Sequence, residues 1–171
     1  GGFTPDKFEA LPINLVDNIT GGQFGELPPK TLGSVDIDVF GSILENDEQV
    51  QSINKAQMGE LRSDHLGAFD SSSVRQLDPA AIRGLGAKQI VHLEDDAIQA
   101  FDASQFAKLR PKVLREMVDQ VEAIQPDALA GLGEKQVKGL NPSMLESMSE
   151  DQINAFSPNV VGRLKRKQIT A

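Results

Sequence analysis

The chain has 171 residues, a mass of 18.5 kDa and a formal charge of −8, from 25 acidic and 17 basic side chains. That balance excludes a general nucleic-acid binder or a protein docked on anionic lipid, both of which need clustered cations. Cysteine is absent, so disulfides and thiolate metal sites are excluded, and no apolar run approaches a membrane-spanning length.

Gly1–Gly2 reads as a cloning scar, and the missing leader therefore carries no information. From Phe3 onward an apolar residue returns every eight positions: Phe3, Leu11, Ile19, Leu27, Val35 and Ile43. A step of ten leads to Ile53, and eights resume through Leu61, Phe69, Leu77, Leu85, Leu93, Phe101, Leu109 and Met117. A step of seven reaches Ile124, followed by Leu132, Leu140, Met148, Phe156 and Leu164. Such a period marks a repeat array, in which each unit is stable only against its neighbours.

With the recurring residue as position one, position six is a second apolar column that includes Phe24, Leu32, Phe40, Met58, Ile90, Phe106, Leu145, Ile153 and Val161. Val50 and Val121 substitute for it in the two irregular units, and all eight phenylalanines fall in these two columns. Three residues separate position six from the next position one, which is helical spacing. Position two carries N-cap residues (Thr4, Thr20, Asp36, Asn54, Asp70, Asp78, Asp102, Asn141, Ser149, Ser157), whose oxygens accept first-turn amides. Proline at position three (Pro5, Pro29, Pro79, Pro111, Pro126, Pro142, Pro158) occupies the first helical site, where its missing N–H costs nothing. Each octad is thus expected to be a cap, a helix of about six residues, and a corner. One continuous helix is excluded, because each interior proline would cost about 3 kcal/mol. A β-solenoid is the competing architecture, and the proline-started units argue against it.

Neighbouring octads differ. Glutamine fills position five at Gln23, Gln57, Gln89, Gln105, Gln136, Gln152 and Gln168, always in octads of one parity, while all the position-three prolines except Pro5 lie in the other. The repeat is therefore sixteen residues, one Pro-type and one Gln-type helix, and predicts an all-α solenoid of very short helices with two helices per rung. Each glutamine is placed either to reach back to its cap amide, as in a capping box, or to stack in an amide ladder between rungs. Small residues at positions seven and eight, Gly33, Gly84, Gly131 and Gly139 among them, suit close approach and the positive φ of tight turns.

The ten-residue unit 43–52, with Glu45, Asp47 and Glu48, reads as a bulge or loop, and the seven-residue unit 117–123 as a merger of two helices into one across 112–124. Neither has a linker's composition, so residues 3–171 form a single repeat domain. No polar cap closes either end, and the domain reads as a fragment of a longer array.

Candidate chemistry is sparse. His65 and His92 lack companions at zinc-ligand spacing. Glu94, Asp95 and Asp96 admit a calcium reading, but they fall on a cap and first turn, where carboxylates complement the helix dipole; Asp36 and Asp38 read the same way. No serine lies in a nucleophile elbow, and no cofactor motif is present. Asn18-Ile19-Thr20 is a formal N-glycosylation sequon, although Ile19 belongs to the core column. Lys165, Arg166 and Lys167 form a basic run, expected either as a solvated face or as a salt contact to another array segment.

The octads Met-Ser-Glu-Asp-Gln-Ile-Asn-Ala (148–155) and Phe-Ser-Pro-Asn-Val-Val-Gly-Arg (156–163) resemble the Leu-Thr-Pro-Glu-Gln-Ile-Ala-Ala arrays of very large bacterial and algal surface or secreted proteins. A weaker likeness is to the mesothelin–stereocilin superhelical family. The resemblance implies extracellular display, adhesion or spacing, with neighbouring repeats as the nearest partners. The alternative expectation is an intracellular α-solenoid scaffold of armadillo or tetratricopeptide type, holding a peptide on its concave face. An enzyme is the least expected outcome, and neither nucleic acid nor membrane insertion is expected.

Overall fold

The computed structural model describes residue 16 and residues 18–169. The expectations placed on Gly1–Gly2, Thr4 and Pro5 lie outside the described residues. Every regular element described is helical and three to eight residues long, which makes the chain all-α and removes the β-solenoid.

The local signals act as their chemistry requires. Thr20, Asp36, Asn54, Asp70, Asp78, Asp102, Asn141 and Ser149 each accept a first-turn amide of the helix they precede. Ser157 stands at the cap position of Pro158–Val161 without making that bond. Prolines 29, 79, 111, 126, 142 and 158 open their helices. The first-turn acids Asp38, Asp95 and Asp96 fall where a helix dipole favours negative charge.

Helices this short do not persist alone; here they stack. Pro29–Ser34, Lys55–Glu60, Pro79–Ile82, Ala103–Phe106, Pro126–Leu129 and Glu150–Asn154 pack in succession along one flank. Gly21–Gly25, Asp47–Ser52, Ser71–Gln76, Asp95–Gln99 and the 3₁₀ turn Val121–Ala123 form a second, and Pro142–Glu146 and Arg166–Ile169 pack on each other as a further pair. A third runs through Ile37–Leu44, Ser63–Gly67 and the 3₁₀ turn Ile90–His92, then through Pro111–Leu114, Glu134–Val137 and Pro158–Val161. Stacked partners lie three octads apart, 24 residues in the step from Lys55 to Pro79. The molecule is a three-flanked superhelical column, with three octads to the turn where the sequence suggested two.

The two-flavour alternation acquires a meaning from this interval. Three is odd, so where the alternation holds a Gln-type helix lies on a Pro-type one: Lys55–Glu60 sits between Pro29–Ser34 and Pro79–Ile82, and Glu134–Val137 between Pro111–Leu114 and Pro158–Val161. The column axis is filled by positions one and six, with Phe24, Phe40, Phe106, Leu32, Met58, Leu85 and Ile90 almost wholly buried. Phe40 meets Phe69 edge-on at 5.7 Å, and Phe101 meets Phe106 at 5.8 Å. An interior void beside Met58, Leu77 and Phe101 measures about 10 Å³, the limit for a single water. Among the described residues, position six loses this cover at Ile153 and Val161, which are 37% and 40% exposed.

Several glycines serve proximity, and none of those described serves positive φ, since no described residue has φ in the left-handed region. A Cβ on Gly84 would collide with the carbonyl oxygen of Lys55, and one on Gly131 with that of Ala103. Pro-type corners thus touch the first turns of Gln-type helices backbone to backbone.

Both irregular units depart from the sequence expectation. The ten-residue unit is a regular octad with two residues added after position one: they lengthen the preceding helix to Ile37–Leu44, and Asn46 then caps Asp47–Ser52 as position two would. In the seven-residue unit no long helix forms; turns over 115–120 lead into the 3₁₀ turn Val121–Ala123. Turning there lets Pro111–Leu114 pack on Glu134–Val137 and Val121–Ala123 on Asp95–Gln99, two flanks that one straight helix would not serve.

Candidate functional site

The most specialised chemistry in the fold is a recurring buried amide. Gln105 is 2% exposed, and its Oε1 accepts from the amide of Asp102, its own cap, at 3.1 Å. Its Nε2 donates both hydrogens to an earlier turn, to the carbonyls of Val74 at 2.8 Å and Leu77 at 3.0 Å. One side chain therefore closes its own helix start and ties it to position six and the following position one of the octads below. The two alternatives read from the sequence resolve into a capping box that is also a bridge to backbone.

The clamp recurs along the column. Gln57 bonds Phe24 and Leu27, Gln89 bonds Met58 and Leu61, and Gln136 bonds Phe106 and Leu109. Gln152 bonds Val121 and Ile124, and Gln168 bonds Val137 and Leu140. Position-one carbonyls such as Leu77 lie at corners, where no helical amide reaches them, and an amide NH₂ supplies the missing donors.

Sequence reading missed three further members. Gln49, in the ten-residue unit, donates to Val16 and Ile19, each at 2.8 Å. Gln120, in the seven-residue unit, donates to Ile90 and Leu93. That unit has lost a residue between position one and the glutamine, and with it the cap: the buried Oε1 of Gln120 has no partner. The signal that finds both is local, a glutamine immediately before the position-six apolar residue, as in Gln49-Val50 and Gln120-Val121.

The third member is His65, which precedes position-six Leu66. It is fully buried, stacks on Phe40 at 4.4 Å between ring centroids, and its Nε2 lies 3.0 Å from the carbonyl oxygen of Val35. A carbonyl only accepts, so Nε2 carries the proton and Nδ1 faces the amide of Arg62 as acceptor. Imidazole has one donor where glutamine has two. Arg62 supplies the difference, donating to the carbonyls of Gly33 and Val35 while its guanidinium also holds Asp64 at 2.9 Å. Burial pushes the His65 pKa below its usual value, outweighing the Val35 bond that raises it. The hydrogen bond from Arg62 holds the carboxyl of exposed Asp64 down at about 2. Arg110 acts similarly to Arg62, donating to Leu85 at 2.7 Å.

The other candidates stay apart. His92 is exposed, and among the described residues no group of three or more His, Cys, Asp or Glu side chains could hold a metal ion. Asp36 caps Ile37–Leu44 through the amide of Asp38. Glu94 stands at the cap position of Asp95–Gln99. Asn18 is exposed and lies on the rim of an open depression of about 590 Å³, together with Thr20, Glu45, Asn46, Asp47 and Glu48. The hydroxyl of Thr20, third residue of the sequon, is bonded to Gln23. No helix among the described residues is long and apolar enough to cross a membrane.

Chemically, the clamps hold backbone to backbone: their polar atoms face carbonyls and amides of the chain itself. No protein-family model matches the chain, and no curated protein matches it.

Proposed function

We propose that the chain is a structural repeat segment: a rod that spaces or presents contacts, in the manner of the surface-protein arrays its octads resemble, with extracellular or cell-surface display as its setting. The observation that carries this reading is the recurrence of the clamp. From Gln49 to Gln168, buried amides tie successive turns together, an arrangement suited to transmitting load along a column. The inner side of each turn is filled with side chains, so contacts to other molecules fall to the outer flanks. A peptide lying on an inner concave surface, as the scaffold alternative requires, has little room there. Small-angle scattering tests the proposal: a rod gives a pair-distance distribution with a long tail, and duplicating residues 93–139 lengthens the maximum dimension without widening the cross-section. A compact, symmetric distribution would sink it.

A further inference from the structure

The three-flank arrangement sorts charges that look interspersed along the chain. Lys112 and Arg115 on one layer, and Lys135 and Lys138 on the next, lie on helices Pro111–Leu114 and Glu134–Val137, which pack directly on each other. Each pair occupies positions four and seven of its octad, three residues apart and therefore on one side of its helix. All four are exposed. Glu116 and Glu134 are the acids of these two layers, and Glu134 is already engaged by Lys138 and Arg163. On the neighbouring flank, Asp95 and Asp96 occupy one layer and Asp119 and Glu122 accompany the next; Asp95–Gln99 packs directly on Val121–Ala123, and all four acids are exposed. A chain of net charge −8 thus carries one patch of four cations, with Glu116 and Glu134 beside them, and one patch of four acids, each spanning one interhelical step of about 8–10 Å.

From this we infer that the Lys112–Lys138 flank of one copy docks on the Asp95–Glu122 flank of a second copy, joining rods side by side. The inference rests on the rod reading and adds its partner. Charge complementarity chooses the occupant: a generic polyanion is repelled by the molecule as a whole, whereas a second copy presents acids at the matching one-layer spacing. The contact is heterologous, using different surfaces on the two copies, so the docked pair leaves one cationic and one acidic patch free and association continues beyond the dimer.

Sedimentation velocity over a concentration series tests this with the whole chain. At low ionic strength the weight-average mass is expected to rise with concentration, and to fall to the monomer near 1 M salt, where the screening length is about 3 Å. Lys112→Glu with Lys135→Glu weakens association about tenfold or more, as does Asp96→Lys with Glu122→Lys. All four sites are exposed, and an unchanged circular-dichroism melt verifies the fold of each variant. Mixing the two double variants restores association, because each reversed patch meets its complement. A monomer at every salt concentration overturns the inference. So does association that survives charge reversal, or a mixture that stays monomeric. Any of these leaves the rod reading standing, since scattering from the high-salt monomer tests that separately.

Discussion

At a single clamp, three hydrogen bonds depend on one carboxamide. Gln105→Ala strands the Asp102 amide and the Leu77 carbonyl, each worth about 1 kcal/mol or more when orphaned, and takes one of two donors from the Val74 carbonyl, which keeps the Leu77 amide. The expected loss is about 2–4 kcal/mol in urea unfolding. Gln105→Glu separates donor from acceptor: the carboxylate can still accept from Asp102 but meets two carbonyl oxygens it cannot satisfy. Its folded-state pKa is raised, so the variant gains stability as pH falls through that value, and a urea midpoint rising toward acid pH checks it. His65 runs the other way. Its folded pKa is depressed, so the neutral ring's contribution is complete above the unfolded value near 6.5 and is lost as pH falls below it. The acids around it are Asp64 on its own helix and Asp36 and Asp38 at the start of Ile37–Leu44; the cation is Arg62, and the packed 3₁₀ turn carries His92. His65→Gln restores two donors and should flatten the stability profile between pH 8 and pH 5. An unaltered slope would show that His65 is not the sensing group.

At the scale of elements, cap and proline chemistry was legible because it is local: Asp78-Pro79 and Asn141-Pro142 announce a helix start whatever surrounds them. The stacking interval was not. A period of eight with a two-flavour alternation fits rungs of two, three or four helices equally, and only the corner geometry, which sequence does not encode locally, selects three. The role of Gln105 was half-visible for the same reason. Its capping box spans three residues, whereas its carbonyl partners lie 28 and 31 residues away. Glycine shows the same division between local and distant causes. Gly131→Ala drives a methyl into the Ala103 backbone, which cannot rotate away, and should cost about 1–3 kcal/mol as an overpacking substitution. Gly41, mid-helix in Ile37–Leu44, has nothing within 4 Å of a Cβ, so Gly41→Ala should gain about 0.5–1 kcal/mol. The two melting temperatures should move in opposite directions.

Across the whole molecule, an odd stacking interval and an even alternation together restrict which deletions the column accepts. Removing residues 93–108, two octads, keeps the alternation in step across the junction, and should leave one cooperative thermal transition at a modestly lower temperature. Removing 93–100 alone sets like helices against each other across the junction and points clamps at the wrong helix ends. That variant should melt lower than the shorter one, or in two steps. Equal melting of the two would contradict the stacking assignment.

Each buried glutamine donates toward the N-terminus, Gln57 to Phe24, Gln105 to Val74, Gln168 to Val137. The bonding therefore has a polarity that matches the order of synthesis. A turn emerging from the ribosome finds its acceptors already in place on a finished surface and never waits for residues still untranslated. Growth can proceed like a ratchet, one coil at a time, each templated by its predecessor.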